Sequence, residues 1–320
     1  MPKKQPSPAT PSKEGTRAYS LSLSPIIEAL CAESQVLVTG RRQHVTRHEF
    51  PSRDKVIELV ELVRSAFFPG YFGPSELTGE TMRFHIGATV DRVLHDLAEQ
   101  IKRGLCSVCE EDRPGSCEDC RDDAFEIARQ FVERLPEVRR LLATDVDAAY
   151  EGDPALTNLD EAIFCYPGLL AITSQRLAHE LFQLGVPLIP RMITEHAHSL
   201  TGIDIHPGAR IGEKFFIDHG TGVVIGETCV IGRNVRIYQG VTLGAKSFPL
   251  DENGHPIKGV DRHPIVEDDV IVYSNATILG RITIGRGSSI GGNVWLTHPV
   301  PPGSVITQAN SGPGKPPAKK

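Results

Sequence analysis

Residues 203–244 read IDIHPGARIGEKFFIDHGTGVVIGETCVIGRNVRIYQGVTLG. Within this run Ile205, Ile211, Ile217, Val223, Cys229, Val235 and Val241 fall six residues apart. A second series keeps the same pitch: Val266, Val272, Ile278, Ile284, Ile290 and Leu296. Every tooth is aliphatic except Cys229, itself a small apolar side chain. With about one Ile, Leu or Val in four residues, seven such hits in a given phase arise by chance with a probability on the order of 10⁻⁴. Neither the helix period of about 3.6 nor the strand period of about 2 produces this pattern. A hexapeptide β-helix does, because each short strand points one aliphatic residue into a prism before the chain turns a corner. Gly212, Gly226, Gly232, Gly285 and Gly291 suit such corners.

Between the two series, residues 247–263 (SFPLDENGHPIKGVDRH) interrupt the period. One coil of a stacked repeat can extrude such a loop without disturbing its neighbours. The expectation is a loop that carries Arg262 and His263 to an active site. Upstream, the pattern is helical. Ser52 caps a helix with Val56, Val60, Val63 and Phe67 on one face, ended by Pro69-Gly70. Met82, Ile86, Val90, Val93, Leu97 and Ile101 mark a second helix. Phe125, Ala128, Phe131, Val132 and Leu135 mark a third, expected to break at Pro136. Residues 137–150 and 158–183 read as helical too, the latter interrupted near Pro167-Gly168. The fold class is therefore α+β: a helical domain at 51–203, then a left-handed parallel β-helix of hexapeptide repeats at 204–308. Segments 1–50 and 309–320 are expected to be mostly disordered.

The chain has 320 residues, enough for two domains, and a formal net charge of −6. That balance argues against a general nucleic-acid partner. No stretch is long and apolar enough to span a bilayer, and residues 1–30 lack the pattern of a signal peptide, so a cytoplasmic location and reduced cysteines are expected. Two Cys-x-x-Cys pairs, Cys106/Cys109 and Cys117/Cys120, are joined through a Pro114-Gly115 turn. Four thiolates at this spacing suit a structural zinc site between two helices; an iron–sulfur cluster and metal-free redox-sensitive thiols are the alternatives.

Asp218-His219 follows the Ile217 tooth, and Asp204 lies fifteen residues before His219, near one coil length. That spacing is expected to stack Asp204 against His219 on neighbouring coils. A carboxylate on one imidazole nitrogen fixes the tautomer and raises the basicity of the other, so the pair could deprotonate an attacking alcohol.

The runs TGIDIHPG (201–208), IDHGTG (217–222), VIGET (224–228), VTLG (241–244) and DRHP (261–264), preceded by GDPA (152–155), YPGLLA (166–171) and RLAH (176–179), resemble the serine O-acetyltransferase family. The resemblance covers residues from about 150 to 308 and implies acetyl transfer from acetyl-CoA to the hydroxyl of L-serine, the step that opens cysteine synthesis. It implies His219 as general base and Asp204 as its orienting carboxylate. It implies His263 as a second histidine that positions the hydroxyl or steadies the tetrahedral intermediate, and Arg262 as the fork for the substrate carboxylate. Asp153 and Asp218 are implied as acceptors for the substrate ammonium. CoA contacts are implied at Gly244, Ala245 and Ser274, with Lys246, Lys258, Arg281 and Arg286 as candidate phosphate partners. It implies a homo-oligomer, a trimer or a dimer of trimers, with each site shared by two subunits.

Two departures stand out. Ala245 occupies the place of a family glycine in a longer loop, and the chain ends Pro-Pro-Ala-Lys-Lys without the terminal isoleucine that docks into O-acetylserine sulfhydrylase, so that complex is not expected. The alternative readings are a hexapeptide acyltransferase for another hydroxyl or amine, a zinc-dependent hydratase using His206, His219, His263 and His298, and a catalytically silent assembly module. The charged clamp of Asp153, Asp218 and Arg262 favours an amino acid over a sugar.

Overall fold

The computed structural model describes residues 23–37, 50–108, 116–312 and 318–319, with backbone alone at 31–37, 116–119 and 318–319. Residues 23–37 carry α1 (Ser24–Leu37), which belongs to one unit by itself. The described residues from Phe50 onward belong to a second compact unit.

That second unit opens with helices. In α2 (Arg53–Phe67), the Ser52 side chain accepts from the Lys55 N–H, the expected N-cap, and Val56, Leu59, Val60 and Val63 are buried along one face. α3 (Gly79–Cys106) starts with a Thr78/Thr81 capping box and buries Val93, Leu97 and Ile101. α4 (Ser116–Gly152) corrects one expectation: Pro136 lies inside a continuous 37-residue helix. Proline removes one backbone hydrogen bond. Phe131, Leu135, Val138 and Leu142 continue one buried stripe across it, and that packing outweighs the missing bond. α5 (Leu159–Cys165) and α6 (Pro167–Gln183) divide at Tyr166, as the Pro-Gly signal predicts. α7 (Ile189–Thr201) has no counterpart in the sequence reading; Pro190 in its first turn and Gly202, left-handed at φ +69°, mark its ends.

After Gly202 the chain winds into three parallel faces, one strand per face per coil. The first face orders β1 (Asp204–Ile205), β4 (Val224–Ile225), β7 (Thr242–Gly244), β10 (Thr277–Leu279) and β13 (Trp295–Leu296). The second comprises β2 (Arg210–Ile211), β5 (Val230–Ile231), β8 (Ile265–Val266) and β11 (Thr283–Ile284). The third comprises β3 (Phe216–Ile217), β6 (Arg236–Ile237), β9 (Ile271–Val272), β12 (Ser289–Ile290) and β14 (Ser304–Ile306), with β15 (Ala318–Lys319) added antiparallel. From β4 to β13 each strand is the partner of the strand three earlier, which is the signature of a three-sided coil. β14 pairs with β12, because the second face has only an isolated Ile284/Val300 bridge between β13 and β14.

The register exposes a phase slip that the sequence pattern concealed. Asp204 pairs with Val224, a step of 20, whereas Val224 pairs with Thr242, a step of 18. The two additional residues lie in the turn 218–223, between β3 and β4. After that turn the strand positions pointing inward are Ile225, Ile231, Ile237 and Leu243, all at most 3% exposed. Val223, Cys229, Val235 and Val241 belong to a second buried set two residues earlier, shared with Ile203, Ala209 and Phe215 in the first coil. Burying such a side chain contributes about 1.5–3 kcal/mol, so two filled sets per coil make the prism a dense core. The 247–263 segment leaves the coil as a hairpin closed by a Leu250/Pro256 bridge, with Asp251 Oδ1 accepting from the N–H groups of Asn253 and His255.

One buried ion pair ties helices to coil. Arg176 Nε and Nη2 donate to Asp145 at 2.8 and 2.9 Å, while its Nη1 and Nη2 also donate to the carbonyls of Ile211 and Gly212 at 3.0 and 2.7 Å. The Phe215 N–H donates to Asp145 Oδ1 at 2.9 Å, so all three segments meet on one carboxylate.

Candidate active site

The first cluster forms at the corner between the third and first faces. His219 sits in the lengthened turn at φ +56°, a region favoured by glycine and tolerated by His. Its side chain is 69% exposed and its Nδ1 lies 3.7 Å from Asp218 Oδ1, beyond hydrogen-bond distance. Gly220 follows at φ +86°; a Cβ there would lie 2.3 Å from Ile203 Cδ1, so glycine lets the turn press onto the first coil. Helix ends bring the remaining groups. Gly168 permits α6 to approach β3, since a Cβ would stand 2.3 Å from the Ile217 carbonyl oxygen. That approach sets Tyr166 beside the coil, where its hydroxyl donates to Asp153 Oδ2 at 2.6 Å. Asp153 is held below the usual carboxylate range by this bond, with the Ala155 N–H, His219 and Arg236 acting in the same direction. Burial, then the Asp153 bond, push the Tyr166 phenol upward, so it remains a donor.

Asp204 does not stack on His219: its register partner is Val224, because an ordinary coil here takes 18 residues, and this one 20, where fifteen was expected. Asp204 N–H donates to the Val223 carbonyl at 2.9 Å, which leaves Asp204 at the foot of the turn carrying His219. Its carboxylate, and ligand atoms of Glu195 and His198 on α7, lie within 4.8 Å of one another.

The second cluster forms at the corner between the first and second faces. His206 follows β1 and Gly226-Glu-Thr228 follow β4 one coil on; His206 N–H donates to the Ile225 carbonyl at 2.9 Å. The loop then returns Arg262 and His263 to this corner. Arg262 Nη2 donates to Glu227 Oε2 at 2.7 Å. Burial pushes the Glu227 carboxyl up, but the Arg262 bond and the charges of His206, Arg262 and His263 outweigh it and leave it lowered. His263 is 6% exposed, and burial followed by the Arg262 charge depress its ring to about 4. Thr228 Oγ1 accepts from the backbone N–H groups of both Arg262 and His263, at 3.0 and 3.1 Å.

The expected CoA contacts divide between the corners. Gly244 ends β7 and Ala245 follows it at the second corner, whereas Ser274 lies between β9 and β10 at the first. Arg281 is engaged internally, donating to the carbonyls of Thr228 and His263 and to Asp261. Arg286 lies 3.3 Å from Asp268. Of the four candidate zinc ligands, Cys109 lies outside the described residues and no side chain is described at Cys117. Cys106 and Cys120 are buried, at the end of α3 and near the start of α4. Tyr166, Arg236, Glu227 and Thr228 had no assigned role; the YPG and GET runs contain three of them, but only long-range contacts reveal what they hold.

No family model matches the chain. A protein from Synechococcus elongatus described as "Serine acetyltransferase, plasmid" is 54% identical over 295 residues, spanning 91% of this chain and 92% of its own length. A serine acetyltransferase from Mycobacterium tuberculosis is 48% identical over 180 residues, 54% of this chain and 75% of its own. Among solved structures, Entamoeba histolytica serine acetyltransferase 1 in complex with L-cysteine aligns with a TM-score of 0.66 at 36% identity, over 81% of this chain and 88% of that one. The native form of that enzyme gives 0.67 at 32% identity, over 89% and 100%. Helices leading into a three-sided coil, together with these relatives, define an acetyl-CoA-dependent acyltransferase. Within that class the chain belongs to the serine acetyltransferase family.

Proposed function

We propose that this chain transfers the acetyl group of acetyl-CoA to the hydroxyl of L-serine at a site completed by two subunits of a homotrimer. The observation that carries the reading is the separation of the two clusters. Asp153, Tyr166, Asp218 and His219 occupy one corner of the prism, and Glu227, Thr228, Arg262 and His263 occupy another. The acids assigned to the ammonium, Asp153 and Asp218, lie at the first corner, while the Arg262 fork assigned to the carboxylate lies at the second, where Glu227 is already paired with it. Three coils packed side by side about a threefold axis bring the first corner of one subunit against the second corner of the next. The coil is taken as left-handed, supported by the hexapeptide pitch and the family relatives. We assign residues 51–203 to the helical domain and 204–308 to the acyltransferase domain.

In this site Asp153 and Asp218 receive the substrate ammonium and Arg262 the carboxylate. His219 removes the hydroxyl proton as the serine oxygen attacks the thioester carbon, with Asp204 orienting the ring. His263 donates to the developing oxyanion. Collapse of the tetrahedral intermediate breaks the C–S bond, and the His219 proton passes to the departing CoA sulfur. A thioester is already activated for acyl transfer, so the hydroxyl is the partner that needs help. Gly244, Ala245 and Ser274 are assigned to CoA.

Subunit mixing tests the shared site. His219→Ala and Arg262→Ala proteins, each inactive, are co-refolded and assayed for serine-dependent CoA release. Random trimers place both intact residues at about a quarter of the interfaces, so activity returns to that order. Mixed trimers that stay as inactive as the parents would exclude a shared site. We also assign a structural zinc to Cys106, Cys109, Cys117 and Cys120, supported by the burial of Cys106 and Cys120 where α3 and α4 pack together. About one zinc per chain in purified protein, lost with a fall in melting temperature on chelation, is the expected result.

A further inference from the structure

Asp153 is held by more than its own loop. Its Oδ1 accepts from the Ala155 N–H at 2.8 Å and its Oδ2 from the Tyr166 hydroxyl at 2.6 Å. The Tyr166 ring lies along Phe216, with centroids 6.4 Å apart and planes at 26°. Over the same Phe216 ring, Arg236 places its guanidinium carbon 5.8 Å from the centroid. Arg236 Nη1 donates to the Gly152 carbonyl at 3.0 Å, the peptide immediately before Asp153. Gly152 fits only without a side chain, since a Cβ would lie 2.7 Å from Phe216 and 2.9 Å from Arg236 Nη2. A carboxylate on a helix-end loop is thereby fixed to the wall of the coil, by its side chain through Tyr166 and by its backbone through Arg236.

We propose that Tyr166 is a positioning residue that aims the Asp153 carboxylate at the substrate ammonium, with Phe216 and Arg236 holding the bracket in place. The proposal rests on the reading of Asp153 as an ammonium acceptor. A carboxylate has about four lone-pair sites. The Ala155 and Tyr166 bonds occupy two, and the remaining two are directed to the ammonium. Tyr166 thus selects amino-acid acceptors over hydroxy acids without touching the reacting atoms. The charged and titratable groups around the bracket are Arg236 and His219 on the Asp153 side, and Glu161 and Asp218 on the Tyr166 side.

Tyr166→Phe keeps the ring against Phe216 and removes only the hydroxyl. The expected result is a KM for serine raised about tenfold with kcat changed less than about twofold, since the lost bond acts on binding geometry. The acid limb of kcat/KM for serine moves to higher pH, because Asp153 protonates sooner without its donor. Discrimination against 3-hydroxypropionate, which lacks the ammonium, falls as well. Asp153→Asn is measured alongside. If Asp153→Asn raises the serine KM while Tyr166→Phe leaves KM and the acid limb unmoved, the bracket is wrong and the ammonium reading stands. If Asp153→Asn leaves the serine KM unchanged, the ammonium reading fails and the bracket with it. A Tyr166→Phe protein that loses kcat and melting temperature together, with the acid limb in place, would assign Tyr166 to packing alone.

Discussion

Thr228 grips one edge of His263: its backbone N–H donates to Nδ1 at 3.1 Å and its hydroxyl lies 2.9 Å from the same atom. An Nδ1 that accepts from an amide carries no proton, so the neutral ring is protonated at Nε2. His263 is thus set up to donate, which suits an oxyanion and not a base. The other ring edge rests on Gly226, where a Cβ would come within 2.0 Å of Cδ2 and 2.2 Å of Nε2. His263→Ala is expected to lower kcat by about 10²-fold, in line with the loss of one oxyanion donor. Gly226→Ala should lower kcat in the same direction by displacing the ring, while serine KM changes less. Nitrogen-detected NMR should show Nδ1 unprotonated throughout the active pH range; a protonated Nδ1 would remove the donor assignment.

The depressed ring also makes stability depend on pH. In the unfolded chain a histidine titrates near about 6.5, whereas folded His263 titrates at about 4. Above about pH 6.5 the ring is neutral in both states and its contribution is fully present. Below that, the unfolded ring takes up a proton that the folded ring refuses, so stability falls until the folded ring titrates as well. Urea midpoints are expected to drop as pH goes from 7 to about 4. His263→Gln should flatten part of that slope. His206, whose ring burial also depresses, retains the remainder. A slope identical in wild type and variant would show that His263 does not contribute.

The repeat was legible because an inward position must be apolar in every coil, whatever the loops do. The phase slip was not. Val223, Cys229, Val235 and Val241 are as apolar as the strand residues two positions later, so one unbroken series ran through both sets. The slip coincides with the turn that carries His219; counting fifteen residues back to Asp204 missed the stacked neighbour because an ordinary coil takes 18 residues and this one 20. Pro136 misled for a related reason: a local rule about backbone hydrogen bonds yields when Leu135 and Val138 are buried on either side. His219, Asp218, Arg262 and His263 stood out in short motifs. The bracket around Asp153 did not, because Arg236 reaches Gly152 across 84 residues of sequence and only the fold brings them together.

Direct acetyl transfer in a ternary complex is the expected route at the proposed site. Cys229 is fully buried in the prism, and burial pushes its thiol up to about 12, so no reactive thiolate faces the site from this position. Initial-velocity lines for serine and acetyl-CoA are expected to intersect, as a ternary complex requires. His219→Ala should reduce turnover by about 10²–10⁴, the usual contribution of a general base, with Asp204→Asn moving kcat the same way by a smaller factor. Parallel lines, or labelled acetyl retained on the protein after denaturation, would point instead to an acetyl-enzyme.

Asp145 and Arg176 predict a loss of stability that leaves the chemistry of the site intact. Their side chains are 1% and 4% exposed, and Asp145 also accepts from the Phe215 N–H while Arg176 also donates to two carbonyls of the coil. Removing one partner leaves a buried charge without its counterion, which costs about 3–5 kcal/mol. Asp145→Ala is expected to lower the unfolding free energy by that amount in urea titration. Arg176 would then face the first coil uncompensated, and the junction between α4, α6 and β2–β3 should loosen first. Hydrogen exchange should locate the loss there, with the amides of Gly212–Phe215 exchanging faster while the later coils stay protected. The protein that remains folded should keep its serine KM, because no atom of the pair lies in either corner cluster. A variant as stable as wild type would mean that the pair contributes no more than an apolar contact of the same volume.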